Sequence, residues 1–238
     1  MQPNTLVDLV LDFNACKSIV QRGNATYGLK PVVTATPTVV SGTVAGYVAP
    51  SEVGAAVYAE QNGQIIRRTT ADSNGQFVLT PLIQSSTNGA YDIVIIDNTL
   101  PNGHATGIVR TVPVTASTTT TVATSGAPIT LPASVTNTAA RLVTPSAQAL
   151  LRVLQPISSA SYEITSVNAN LDTGTYTLQL PAAAVQVGTF NGMLPVALAA
   201  VPGVAGQYTV EADSLSGATQ SSAVNVSAGS QANVNFSF

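Results

Sequence analysis

Residues 54–79 read GAAVYAEQNGQIIRRTTADSNGQFVL. GAAVYAE and QIIRRTT are strand-like runs, and the QNG between them (61–63) is a hairpin turn. DSNG (72–75) is the next turn, where Gly75 supplies a positive φ. A third strand follows over 76–80. Working outward, further strands fall near 42–48, 90–96, 107–114 and 118–123, the last a polar β-branched run suited to a solvated face. Strands this short, with turn signals between them, predict a β-sandwich, with a barrel as the alternative.

The chain then says nearly the same thing again. GTVAGYVAPS (42–51) matches NTAARLVTPS (137–146), and NGQFVLTPL (74–82) matches TGTYTLQLP (173–181). GAYDIVII (89–96) matches GQYTVEAD (206–213), and VPVTASTTTTV (112–122) matches VNVSAGSQANV (224–234). Landmarks recurring in one order predict a duplicated β-module. Three parts follow: a strand leader over 1–40, a first sandwich over 41–132 and a second over 133–238. LPASVTN (131–137) reads as the link between them. The second module carries an insertion within AAAVQVGTFNGMLPVALAAVPG (182–203), too broken by Gly and Pro for one helix and suited to covering a sheet edge or an interface. NVNFSF, at the C-terminal end, alternates, with Val234, Phe236 and Phe238 on one face.

The leader is read in pieces. LVDLVLDF (6–13) puts Val7, Leu9, Leu11 and Phe13 on one strand face meant for a core, with Asp8, Val10 and Asp12 on the other. NACKSIVQ predicts a short helical turn and RGNAT (22–26) a turn. A second strand is expected over 27–33, at a sheet edge because of Pro31. TATPTVVSG (34–42) reads as a linker. Two strands cannot stand alone, so the leader must lie on the first module or pair with another chain.

Composition narrows the function. Of 238 residues, only 8% are charged, while 45% are hydrophobic and the net charge is −3, which excludes a disordered chain. Eight scattered Lys and Arg form no basic stripe, so nucleic acid is not an expected partner. Few charges leave strand edges poorly defended and suit a surface that packs on copies of itself or on a matrix. No apolar run is long enough for a transmembrane helix. Asp8 and Asp12 break the N-terminal apolar run, so it does not read as a signal peptide, and an exported form would be mature or trimmed. The single cysteine, Cys16, cannot form a disulfide within the chain and reads as a small buried apolar residue.

The chain carries no complete catalytic, cofactor or metal pattern, and the expectation is a non-enzyme with no cofactor. His104 is the single histidine and reads as a solvated loop residue in PNGHATG. Asp97 lies seven residues before it, and there is no G-x-S-x-G elbow to complete a triad. Neither H-x-x-E nor H-E-x-x-H occurs, and one His with one Cys makes a poor zinc set. Asp72-Ser73-Asn74-Gly75 is half of a calcium-loop pattern lacking its first acid and its later Glu, so a β-turn is the better reading. Without Trp, and with Tyr and Phe mostly at core-facing positions, glycan binding lacks aromatic platforms. Lys17 and Lys30 are the lysines, both in the leader, so neither module can form its own Lys–Asn isopeptide bond.

The first module resembles the carboxypeptidase-regulatory-like domain, a transthyretin-like sandwich. The matching residues are Gly42 and Val44, GAAVYAE, Thr69 to Leu79, and the strand from Gly89 to Val94. The second resembles it more weakly, through TGTYTLQL and GQYTVEA. The resemblance implies two tandem transthyretin-like or Ig-like sandwiches and an accessory role that supports, docks or spaces. The leader resembles the closing segment of a bacterial domain of unknown function found in surface lipoproteins. It does so through Asp12-Phe13, Ala15-Cys16-Lys17-Ser18-Ile19-Val20 and Leu29-Lys30-Pro31-Val32.

Two functions are therefore expected to compete. One is an extracellular or bacterial-surface structural protein that self-associates by strand complementation into a filament or other homo-oligomer. Val7, Leu9, Leu11 and Phe13 are then the assembly strand, with Val234, Phe236 and Phe238 as the alternative. The other is a monomeric accessory module binding a glycan or protein.

Overall fold

The computed structural model describes residues 8–23, 25–145 and 149–238. Its strands are numbered in chain order. The leader contributes β1 (Leu9–Phe13), a helical turn α1 (Ala15–Ser18), β2 (Ile19–Gln21), β3 (Tyr27–Leu29) and β4 (Val33–Pro37). The first module follows with β5 (Ser41–Tyr47), β6 (Ala56–Gln61), β7 (Gln64–Thr70) and β8 (Gln76–Ile83), a short helix α2 (Ser85–Asn88), then β9 (Tyr91–Ile96), β10 (Asn102–His104), β11 (Gly107–Val112) and β12 (Thr119–Thr121). The second comprises β13 (Ala133–Thr144), β14 (Ala149–Ile157), β15 (Ala160–Asn168), β16 (Thr175–Pro181), β17 (Gln186–Thr189), β18 (Ala199–Ala200), β19 (Gln207–Ser214), β20 (Thr219–Asn225) and β21 (Phe236–Ser237). The protein is all-β, built of stacked sheets.

Turn chemistry sets the first module as its sequence suggests. Gln61 pairs with Gln64, leaving Asn62 (φ 52°) and Gly63 (φ 71°) as a two-residue loop. Positive φ at both positions matches the twist of the flanking strands. Asp72 Oδ1 accepts from the amides of Asn74 at 2.8 Å and Gln76 at 2.9 Å, and Gly75 has φ 76°. The Asp72 carboxylate is therefore occupied in shaping its own turn.

The sheets do not respect the module boundary. Strands β12-β5-β8 form one layer, and β7-β6-β9-β11-β17-β18 form a central six-stranded sheet. β17 and β18 come from the 182–203 insertion; β17 runs parallel to β11, from Gly107 opposite Gln186 to Arg110 opposite Thr189. In the other direction β10 pairs with β13, joining a sheet with β16 and β21. A last sheet, β15-β14-β19-β20, closes the second module.

Alternation along the central sheet sends side chains into two cores. Val57, Ala59, Ile93, Ile95 and Val109 pack toward β5 and β8 with Phe77, Leu79 and Leu82. Tyr58, Val94, Ile96 and Ile108 point the other way and pack with Leu151, Ile164 and Leu178 of the second module. β9 is buried on both faces, which is why IVII carries no polar alternation. Val196 is buried in the first core, with Phe190 and Leu198 packed against it, so the insertion fills a gap in its neighbour.

Two readings of the connections change. Residues 34–37 of the expected linker belong to β4, paired with β1, followed by a 3-10 turn at Thr38–Val40. The expected inter-module link enters β13 at Ala133, so no free linker separates the modules.

Candidate functional site

The leader is one bent ribbon. β1 pairs antiparallel with β4, and β2 with β3. Between them the ladder continues: Asn14 N–H donates to Val32 O at 2.9 Å and Lys30 N–H to Ser18 O at 2.7 Å. The helical turn that interrupts the strand is capped by Asn14, whose Oδ1 accepts from Lys17 N–H at 3.1 Å. Arg22 N–H donates to Thr26 O and closes the far end.

One face of this ribbon lies on the body through polar groups. Arg67 on β7 is buried and reaches Asp12 at 2.9 Å and the Thr36 hydroxyl at 3.3 Å. Further along, Lys17 Nζ sits 3.5 Å from buried Glu163. Asn168 Nδ2 donates to Ile19 O, Leu171 N–H to Gln21 O, and Gly23 N–H to Asp172 Oδ2 at 2.6 Å. Val20 is the large apolar side chain that goes under with them.

The outer face is apolar. Leu9, Leu11 and Phe13 are 50%, 69% and 46% exposed, and Val33 stands opposite Phe13 at 55%. In the other half Ile19, Tyr27 and Leu29 are likewise exposed, around an apolar hollow with Gly28. The face of Leu9, Leu11 and Phe13 that alternation marks as meant for a core is covered by no core among the described residues. A buried guanidinium needs a counter-charge, and Arg67 takes it from Asp12, turning the leucines out. Val7 and the Cys16 side chain lie outside the described residues. Leu9, Leu11, Phe13 and Val33 exposed together on one strand face form an apolar patch rather than scattered surface residues.

The alternative strand is differently placed. Val234 and Phe236 are buried, Phe236 against Tyr176 with ring centroids 6.3 Å apart, and β21 runs parallel to β13. Phe238 packs against the same core. These three residues complete their own sandwich.

A polar cleft of about 590 Å³ opens where the modules meet, lined by Asp92, Arg152, Tyr162, Glu211, Asn62 and Gln64 among others. Arg152 is held at 3.1 Å from Glu163, 3.2 Å from Glu211 and 3.2 Å from Gly63 O. Burial, then the neighbouring Asp92, pushes the Tyr162 hydroxyl up to about 12. Beneath, Glu60 is buried and its pKa is raised well above the carboxylate range, by burial first and by Glu163 among its neighbours.

His104 is not the solvated loop residue its sequence suggested. It pairs with Ala133 across β10 and β13, and its Nδ1 lies 2.7 Å from Asp97 Oδ2. Burial would raise the Asp97 pKa, but bonds from Thr99 and His104 outweigh it and hold it low. Among the described residues no serine hydroxyl bonds the imidazole, and no three His, Cys, Asp or Glu converge as a metal set. Among them, too, no helix is long and apolar enough to cross a membrane.

The fold thus defines an all-β sandwich protein. A scan against protein-family models matches none, and a search of curated proteins finds none similar.

Proposed function

We propose that this chain is a non-catalytic structural subunit, displayed outside the cell or on a bacterial surface, that joins copies of itself by strand complementation into a fibre or pilus-like assembly. The observation that carries this reading is the ribbon that turns Leu9, Leu11 and Phe13 outward while its polar face grips the body. β1 is bonded to β4 on one edge and, among the described strands, to none on the other. A strand from a neighbour added there continues the sheet, and the body that carries it packs over the apolar face. The sparse charge of the chain leaves such an edge undefended. Donor and acceptor surfaces that differ give a head-to-tail contact, and one that does not close gives a filament. The test is negative-stain electron microscopy at rising concentration, with and without residues 1–13. Fibres of constant width that vanish on deletion are expected; fibres indifferent to the deletion would sink the leader as the joining strand.

The second reading is a monomeric accessory module, which the polar cleft beside Arg152 and Glu211 favours. Its mark would be separate particles at every concentration, with a melting temperature that rises with a glycan or protein ligand.

A further inference from the structure

Where the first and last strands of each module meet, they meet side by side and in the same direction. In the first module the segment 117–129 runs along the whole of β5. Ser117 N–H donates to Ser41 O, Thr43 N–H to Thr118 O, Val122 N–H to Ala45 O and Ile129 N–H to Tyr47 O, each at 2.9 Å. Ala49 N–H then returns to Ile129 O at 2.9 Å. In the second module the segment 231–238 runs along β13. Gln231 N–H donates to Thr138 O at 2.7 Å, Ala140 N–H to Gln231 O at 2.9 Å, Val234 N–H to Ala140 O at 3.3 Å and Phe238 N–H to Thr144 O at 2.9 Å. Val143 and Thr144 stand opposite Phe236 and Ser237, and the Tyr176 hydroxyl pins Val234 O. Among the described strands, every parallel pairing is one of these two or the β11–β17 seam between the modules.

Direction decides how such a ladder meets a pull. Parallel strands have their N-terminal ends together. Tension on the chain before Ser41 and after Phe238 therefore drags β5 and β13 one way and their partners the other, along the strand axis. All bonds of a ladder then stretch together, and each loses its geometry within a fraction of an ångström. An antiparallel hairpin pulled at its open end parts one bond at a time. Forced unfolding is governed by the barrier to rupture rather than by equilibrium stability, so the arrangement of bonds, not their number, sets the resistance.

We infer that both modules are mechanical clamps and that the chain is built to transmit tension along its length. The seam adds to this, since Gln186 N–H donates to Thr106 O at 2.8 Å and Phe190 N–H to Arg110 O at 2.9 Å. The modules cannot separate without breaking it. The leader is the exception. Its ribbon rests on the body through side chains and isolated amides and peels first. None of this depends on self-association, because it concerns one chain at a time.

The test is single-molecule pulling of the full chain in two geometries. In one, handles are fused to both ends. In the other, Cys16→Ser is combined with Val135→Cys and Ala228→Cys, exposed positions at the adjoining N-terminal ends of β13 and the closing segment, so that the second ladder unzips. At one loading rate, end-to-end pulling is expected to show an early weak release of the leader and then ruptures severalfold stronger than unzipping. Gln231→Pro, which deletes one shearing amide at an exposed site, should weaken an end-to-end rupture and leave the other unchanged. Equal forces in the two geometries would overturn the inference, and that comparison stands even if the proline variant misfolds. Whether fibres form has no bearing on either outcome.

Discussion

Glu60 and Glu163 are both almost wholly buried, and Glu60 Oε2 accepts the Glu163 amide at 3.1 Å while its Oε1 has no partner. Burial raises the Glu60 pKa, so the folded chain holds a proton that the unfolded chain releases near pH 4.5. The folded state then binds more protons than the unfolded one between the two values, and stability falls as pH rises through that window. Glu60→Gln keeps an acceptor for the Glu163 amide and removes the charge. Thermal melts should show this variant more stable than the parent at pH 8, with the difference shrinking toward pH 5; a constant difference would mean Glu60 is not protonated on folding. Residues of this kind are where reading the sequence reaches its limit. Gly75 and Asn62-Gly63 are legible because a turn needs only its own residues. Asp12 is not, because its meaning depends on Arg67, a partner far along the chain that no local period reveals. His104 fails the same way: a loop folds it back onto Asp97.

At the scale of elements, the first module's strands fall close to where alternation and turn signals put them, since each must present one face to a core. β9 carried a further signal in IVII, an unbroken apolar run that marks burial on both faces. What it covered on the second face was illegible, because the covering residues belong to the second module. β17 and β18 were equally hidden: QVGT is four residues broken by a Gly and AA is only two, so neither shows a readable alternation, and the open edge of β11 makes them strands. This gives a prediction that crosses the boundary. Val196 belongs to the second module by sequence and to the first core by packing. Val196→Asp buries an uncompensated charge there, costing roughly 3–5 kcal/mol. Hydrogen exchange should speed first at the amides of β11 and β9, in the module that was not mutated. Exchange confined to residues 186–200 would mean the seam is not cooperative.

For the whole molecule, the expectation of two similar modules leaves the joinery between them out of sight. Two similar modules suggest beads on a string, yet β10 is lent forward and β17 backward, so each sandwich is finished by the other. Residues 41–132 made alone should therefore be poorly soluble or self-associated by size-exclusion chromatography, whereas residues 41–238 should elute as a discrete species. A well-behaved monomer from the short piece would show that β11 tolerates an empty edge.

The β11–β17 pairing also orders events during synthesis. When β11 leaves the ribosome, the strand that will lie beside it has not been translated, and most of a module must still be made before it appears. Through that interval the nascent chain displays an unpaired apolar edge beside an incomplete core, and neighbouring ribosomes on the same message display the same one. Fast translation of residues 133–189, or anything that shields β11 until they arrive, limits that exposure.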